Sequence, residues 1–130
     1  MRETSALVLL AHGSPDPDWR EPIERLGARL RARQSEHLVF VGYMELSPPS
    51  LFDIAAQCDG RGVVRATVVP AFLSPGGRHI KRDLPELVRT VAARHPGIAW
   101  ALVPGALGSD DGVIEALATA TLARVKTTSK

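Results

Sequence analysis

Only one cysteine, Cys58, occurs among the 130 residues, which excludes an internal disulfide and any metal site built on paired thiolates. A bound metal would have to be held by nitrogen and oxygen. Long apolar runs are also missing. The longest near the start, Ala6–Ala11, is far short of a membrane span and shorter than the apolar part of a secretory leader, and His12 follows it directly. These absences predict a cytoplasmic chain without membrane contact. There is little excess charge of one sign, a formal net of +2, and the Lys and Arg are scattered among acids. The dense basic stripe that a phosphate backbone requires is lacking, so nucleic acid is not expected as a partner. No internal repeat, low-complexity tract or linker interrupts the chain.

What is present is the balance of an ordinary soluble globular protein, 45% hydrophobic and 23% charged residues, at the length of one domain spanning 1–130. Apolar runs alternate with amphipathic stretches, the pattern of an α/β fold in which a mainly parallel, four-stranded sheet carries helices on both faces. The spacing predicts strands over 6–11, 38–44, 65–70 and 98–103. A first helix runs to about Arg33, with Pro22 in its first turn, Ile23, Leu26 and Leu30 inward, and Arg25, Arg29 and Arg31 solvated. Ser47 is read as the cap of a short helix that takes Pro48 and Pro49 in its first turn and ends near Gly60. A third helix spans roughly 82–94, with Leu84, Leu87, Val88 and Val91 inward, and is stopped at His95-Pro-Gly97. Ser109 or Asp110 caps a last helix with Ile114, Leu117, Ala118, Leu122 and Val125 on one side.

In open parallel sheets, ligands bind beyond the carboxyl ends of the strands, where loops diverge and helix N-termini converge. Strand one ends at His12, strand two at Glu45, and the loop Ala71-Phe-Leu-Ser-Pro-Gly-Gly-Arg-His79 after strand three delivers His79. Two imidazoles and a carboxylate suit divalent Co²⁺, Fe²⁺, Ni²⁺ or Zn²⁺ and leave coordination positions open, which favours transfer over storage. Imidazole also titrates near neutrality and can accept protons that a metal displaces from another ligand.

Arg78, Lys81 and Arg82 cluster around His79 and would orient a substrate bearing many carboxylates, while Phe72 and Leu73 offer an apolar wall. Each position also has a plainer reading. His12 and Gly76-Gly77 suit turn chemistry, Glu45 a helix-entry carboxylate, the cations a solvated helix start, and Phe72 core packing. His37 and His95 are read as solvated, and Cys58 as a small buried hydrophobe.

Four segments carry a resemblance over nearly the whole chain: Leu7-Val-Leu-Leu-Ala-His-Gly-Ser14, Glu45-Leu-Ser-Pro-Pro-Ser-Leu51, Val69 to Gly77 with His79 to Pro85, and Gly105-Ala-Leu-Gly108. Together they resemble the short CbiX class of chelatases, related to the sirohydrochlorin ferrochelatase SirB. The resemblance implies insertion of cobalt or ferrous iron into sirohydrochlorin, toward cobalamin or siroheme, without an organic cofactor. It also implies His12 and His79 at the metal and a homodimer enclosing the tetrapyrrole. With Glu45 as a third catalytic candidate, the substrate-binding set becomes Ser14, Phe72, Gly76, Gly77, Arg78, Lys81 and Arg82. One departure stands out: Arg78 separates His79 from the glycine pair that the family's histidine follows directly. A metal or tetrapyrrole carrier without turnover is the alternative. A histidine phosphatase fits less well, because Ala11 precedes His12 where that class places arginine.

Overall fold

The computed structural model describes residues 3–74 and 78–128, the side chains of 78–80 excepted. Its elements are β1 (Thr4–Ala11), α1 (Pro17–Arg33), β2 (His37–Tyr43), α2 (Leu51–Gly60), β3 (Val63–Pro70), α3 (Arg78–Arg94), β4 (Ala99–Leu102), a 3-10 turn (Leu107–Ser109) and α4 (Asp111–Thr128). All strand pairs are parallel, in the order β2-β1-β3-β4. β1 is central, and its unbroken apolar stretch is explained by burial from both sides at Val8, Leu9 and Leu10.

Side chains alternate across a strand, so Ala6, Val8 and Leu10 join Phe40, Ala66 and Val68 on the face where α2 and α3 lie. Ile54, Cys58, Val88 and Val91 close this core from the helix side. The opposite face carries α1, which lies over β2 and β1. Close contact there depends on Gly27, because a Cβ at that position would come within 2.6 Å of Val41 Cγ2. Ile23, Leu26 and Leu30 are accordingly half-buried.

Among the described residues, nothing covers the rest of that face. Thr67 of β3 and Ala101 of β4 are exposed, and Val103 just beyond β4 is exposed as well. α4 does not cover them, since none of its residues is buried. Its apolar residues share one side, as their spacing predicts, yet Leu122 is 70% exposed and Val125 56%.

Several local expectations are corrected. α2 is capped by Ser50, not Ser47: Ser50 Oγ accepts from Asp53 N at 3.1 Å while Asp53 Oδ2 accepts from Ser50 N at 2.9 Å. This reciprocal box satisfies two otherwise orphaned donors, and a Ser47 cap has no acidic partner to match it. Pro48 and Pro49 precede the helix, joined by a cis peptide bond. In α1, Asp16 is the cap and Pro17 takes the first-turn place, leaving Pro22 inside the helix. α3 begins at Arg78 rather than Arg82, so His79 belongs to a helical first turn. His95 is not solvated but half-buried and hydrogen-bonded through Nδ1 to the Asp59 carboxylate. His37 is exposed, and Cys58 is fully buried with its thiol pKa pushed up by that burial.

The outer edge of β2 is tied down by side chains and a turn. The Gln34 amide accepts from His37 N at 2.9 Å and donates to His37 O at 3.3 Å. The Arg31 guanidinium donates to Val39 O from Nε at 3.2 Å and from Nη2 at 2.9 Å, and Tyr43 N donates to Pro49 O at 3.0 Å.

Candidate functional site

With this strand order the chain leaves β1 and β3 in opposite senses, which opens a crevice between their carboxyl ends. His12, the first residue after β1, stands exposed at that crevice. The following Gly13 has φ +99°, and a Cβ on it would lie 1.9 Å from Glu45 O, so only glycine lets the turns after β1 and β2 meet backbone to backbone. Met44 N donates to Ala11 O at 2.8 Å and Glu45 N to His12 O at 3.1 Å. Ser47 Oγ then accepts from Ser14 N at 2.8 Å and donates to Ser14 O at 2.5 Å. Between them Leu46 sits at φ 68° in a γ-turn closed by Ser47 N donating to Glu45 O at 2.9 Å, which leaves its side chain 68% exposed.

From the β3 side, Ala71 N donates to Leu10 O at 2.8 Å, carrying the chain along β1 and setting the Phe72 ring 4.9 Å from the His12 ring at an interplanar angle of 43°. The Phe72 carbonyl is held in turn by Gly108 N at 3.0 Å. A cleft of about 290 Å³ lies here, lined by His12, Trp19, Arg20, Tyr43, Phe72 and Leu73 among others. Trp19 is 76% exposed on its rim. Arg20 Nε is buried with no hydrogen-bond partner, and Arg20 makes no ion pair among the described residues. A second cleft of about 290 Å³ lies beyond Phe72, lined by Lys81, Leu84, Pro85 and Val103. The Phe72 ring is therefore a wall common to both.

Tyr43, the chain's only tyrosine, donates its hydroxyl to Glu24 Oε1 at 3.1 Å. Burial, reinforced by Glu24, raises its pKa to about 12. The folded state thus holds the phenol proton more tightly than the unfolded chain. Its contribution is complete below the unfolded value of 10.0 and is lost as pH rises through about 12. Tyrosinate absorbance is expected to titrate near 12, and a midpoint near 10 in the folded protein would contradict the Tyr43–Glu24 contact.

The expected site residues are distributed as follows. His12 and Phe72 meet at the crevice. Ser14 serves the turn: its hydroxyl accepts from Asp16 N at 3.1 Å. Glu45 reaches the same rim through its backbone, while its side chain is exposed and does not line the cleft. Lys81 and Arg82 are exposed on α3, and Arg82 pairs with Asp83 at 3.7 Å. Gly76 and Gly77 lie outside the described residues, as do the side chains of Arg78 and His79. No cluster of three or more His, Cys, Asp or Glu capable of holding a metal occurs among the described residues. Trp19 and Arg20 were not anticipated; the available signal was a tryptophan placed at the polar start of a helix, where packing does not need one.

Comparison with known proteins bears on the fold and the family. A sirohydrochlorin cobaltochelatase of Methanococcoides burtonii is 30% identical over 89 residues, 68% of this chain and 67% of that one. Its counterpart in Methanocaldococcus jannaschii is 34% identical over 90 residues, 69% of this chain and 62% of that one, so the matched part is about two thirds of these relatives or less. The crystal structure of a cobalamin (vitamin B12) biosynthesis CbiX protein from Marinobacter aquaeolei superposes with a TM-score of 0.84 at 32% identity, covering 95% of this chain and 98% of that one. SirB from Bacillus subtilis in complex with cobalt, at 24% identity and a TM-score of 0.67 over 76% of this chain and 42% of that one, shares the fold. No described helix is long and apolar enough to cross a membrane. The CbiX family model matches residues 6–123, taking in every strand and both walls of the crevice, and this chain therefore belongs to the CbiX family.

Proposed function

We propose that this chain inserts a divalent metal, cobalt or ferrous iron, into sirohydrochlorin, supplying cobalamin or siroheme synthesis. The observation that carries the reading is the exposed His12 imidazole at the β1–β3 crevice, backed by Phe72 and sharing its cleft with Arg20, which has no ion pair among the described residues. The names of the CbiX relatives, cobaltochelatases acting on sirohydrochlorin, support the same substrate pair. Nickel and zinc suit the same donors.

In this reading His12 and His79 hold the incoming metal, and His79 enters from the first turn of α3. Arg20 receives one substrate carboxylate while Lys81 and Arg82, with Arg78, receive others; a guanidinium forks onto a carboxylate with two parallel bonds. Trp19, Leu46 and Leu73 present apolar surface to a flat ring. As the metal exchanges protein ligands for pyrrole nitrogens, two protons leave the macrocycle, and the imidazoles, Glu45 and water accept them. No organic cofactor takes part. The chain acts in the cytoplasm and as two copies, a reading supported by the bare half of the parallel sheet, since such sheets are normally covered on both faces.

An absorbance assay with purified protein, sirohydrochlorin and each metal in turn tests the proposal. Many equivalents of metallated product per chain are expected with cobalt or ferrous iron. One equivalent and then a halt would identify a carrier instead.

A further inference from the structure

Arg20 has an acidic residue four positions away on either side, Asp16 and Glu24. Side chains at that spacing are neighbours along a helix, and opposite charges there pair, as Glu21 and Arg25 of α1 do at 3.6 Å. Arg20 nevertheless makes no ion pair among the described residues, and its buried Nε has no hydrogen-bond partner. Both neighbouring acids are occupied elsewhere. Asp16 caps α1, its Oδ1 accepting from Asp18 N at 2.9 Å. Glu24 Oε1 accepts the Tyr43 hydroxyl at 3.1 Å.

The hold on Glu24 comes from another element, the carboxyl end of β2. Tyr43 is only 2% exposed, its N–H donates to Pro49 O at 3.0 Å, and it lies opposite Ala11 in the β1–β2 register, one residue before His12. Its ring is fixed, so the exposed Glu24 side chain comes to it. An arginine that precedes a glutamate is the weaker order for a helix pair, and one bond from a buried hydroxyl suffices to draw the carboxylate away. The three groups share one neighbourhood: burial and then Glu24 raise the Tyr43 pKa, while Arg20 opposes the rise. Arg20 and Tyr43 both line the cleft that holds His12.

We infer that Tyr43 is a positioning residue for the tetrapyrrole, holding the Glu24 carboxylate so that the Arg20 guanidinium stays open to a carboxylate of the substrate. This rests on the reading above, in which Arg20 receives such a group. A carboxylate of the protein seated on Arg20 would have to be displaced before one from the substrate could bind, and affinity would fall by the strength of that internal contact. Tyr43 removes the competitor in advance without touching the substrate's charge itself.

Titration of the protein with metal-free sirohydrochlorin, followed by absorbance, reads binding apart from metal insertion. Tyr43→Phe keeps the ring and deletes only the hydroxyl, which frees Glu24 to turn to Arg20. The dissociation constant is expected to rise about 2- to 10-fold, the worth of one hydrogen bond. Adding Glu24→Gln to Tyr43→Phe should restore wild-type affinity, because an amide offers Arg20 no charge, and a purely structural loss would not be repaired this way. In an Arg20→Gln background, Tyr43→Phe should have no further effect on binding. Wild-type affinity in Tyr43→Phe, or a defect that persists in the Tyr43→Phe, Glu24→Gln double variant, would overturn the role of Tyr43 and leave the substrate reading standing. A wild-type protein that binds no sirohydrochlorin removes both.

Discussion

His12→Ala is expected to lower kcat for metal insertion on the order of 10²- to 10⁴-fold, the range that a positioned acid–base group supplies. KM for the tetrapyrrole should change little, because in the proposed mechanism the imidazole addresses the metal and the departing protons rather than the substrate's periphery. The domain should stay folded: His12 is exposed, and its backbone carbonyl, which accepts from Glu45 N at 3.1 Å, is untouched. Arg20→Gln makes the informative contrast. Losing a charge-assisted bond to a carboxylate costs about 1.5–3 kcal/mol, which is roughly 10- to 150-fold in KM, with kcat nearly kept. His79→Ala should resemble His12→Ala. Steady-state kinetics under limiting metal separate the two classes. If His12→Ala retains wild-type kcat, the imidazole only braces its turn, and the assignment of chemistry to this crevice fails.

Gly108→Ala is expected to produce the largest loss of stability. A Cβ there would sit 1.5 Å from Leu73 O and 2.6 Å from Leu73 Cα, backbone atoms that no side-chain rotation can clear. Either the 3-10 turn or the Phe72–Leu73 segment must move, and the 3.0 Å bond from Gly108 N to Phe72 O is lost with it. Overpacking of this kind costs about 3 kcal/mol, or a fall in Tm of roughly 10 °C. Gly60→Ala is the control, because nothing lies within 4 Å of a Cβ there. Thermal melts followed by circular dichroism decide the matter: an unchanged Tm for Gly108→Ala would mean that the close approach of these two backbones is not real.

The sheet was legible because burial on both faces leaves a direct trace, a run such as Leu7–Ala11 with no polar interruption. The carboxyl-end rim followed from topology, and it brought His12 and Phe72 together as their positions required. Helix starts were harder to read. Ser47 and Ser50 both look like caps, and only the reciprocal bond from Asp53 selects Ser50. Arg78 and Lys81 disguised the start of α3, since cations oppose the dipole at a helix N-terminus and so read as loop. Arg20 escaped notice because one more arginine on a helix rich in Arg25, Arg29 and Arg31 carries no mark of direction, and only packing shows which one turns toward the cleft. The spacing of Ile114, Leu117 and Leu122 correctly announced an apolar side, but spacing does not say whether that side is buried, and here it is exposed.

The Gln34, Arg31 and Pro49 contacts along β2 have a bearing on how the molecule survives at high concentration. A strand at the margin of a sheet is a template onto which another chain can add, and repeated addition grows ribbons and fibrils. Here the amide of Gln34 occupies the places a neighbouring strand would take at His37, a guanidinium blocks Val39, and a proline carbonyl has already claimed the Tyr43 donor. Accretion along that margin is opposed at these three positions, so the strand's outer donors and acceptors are spoken for before a second chain arrives.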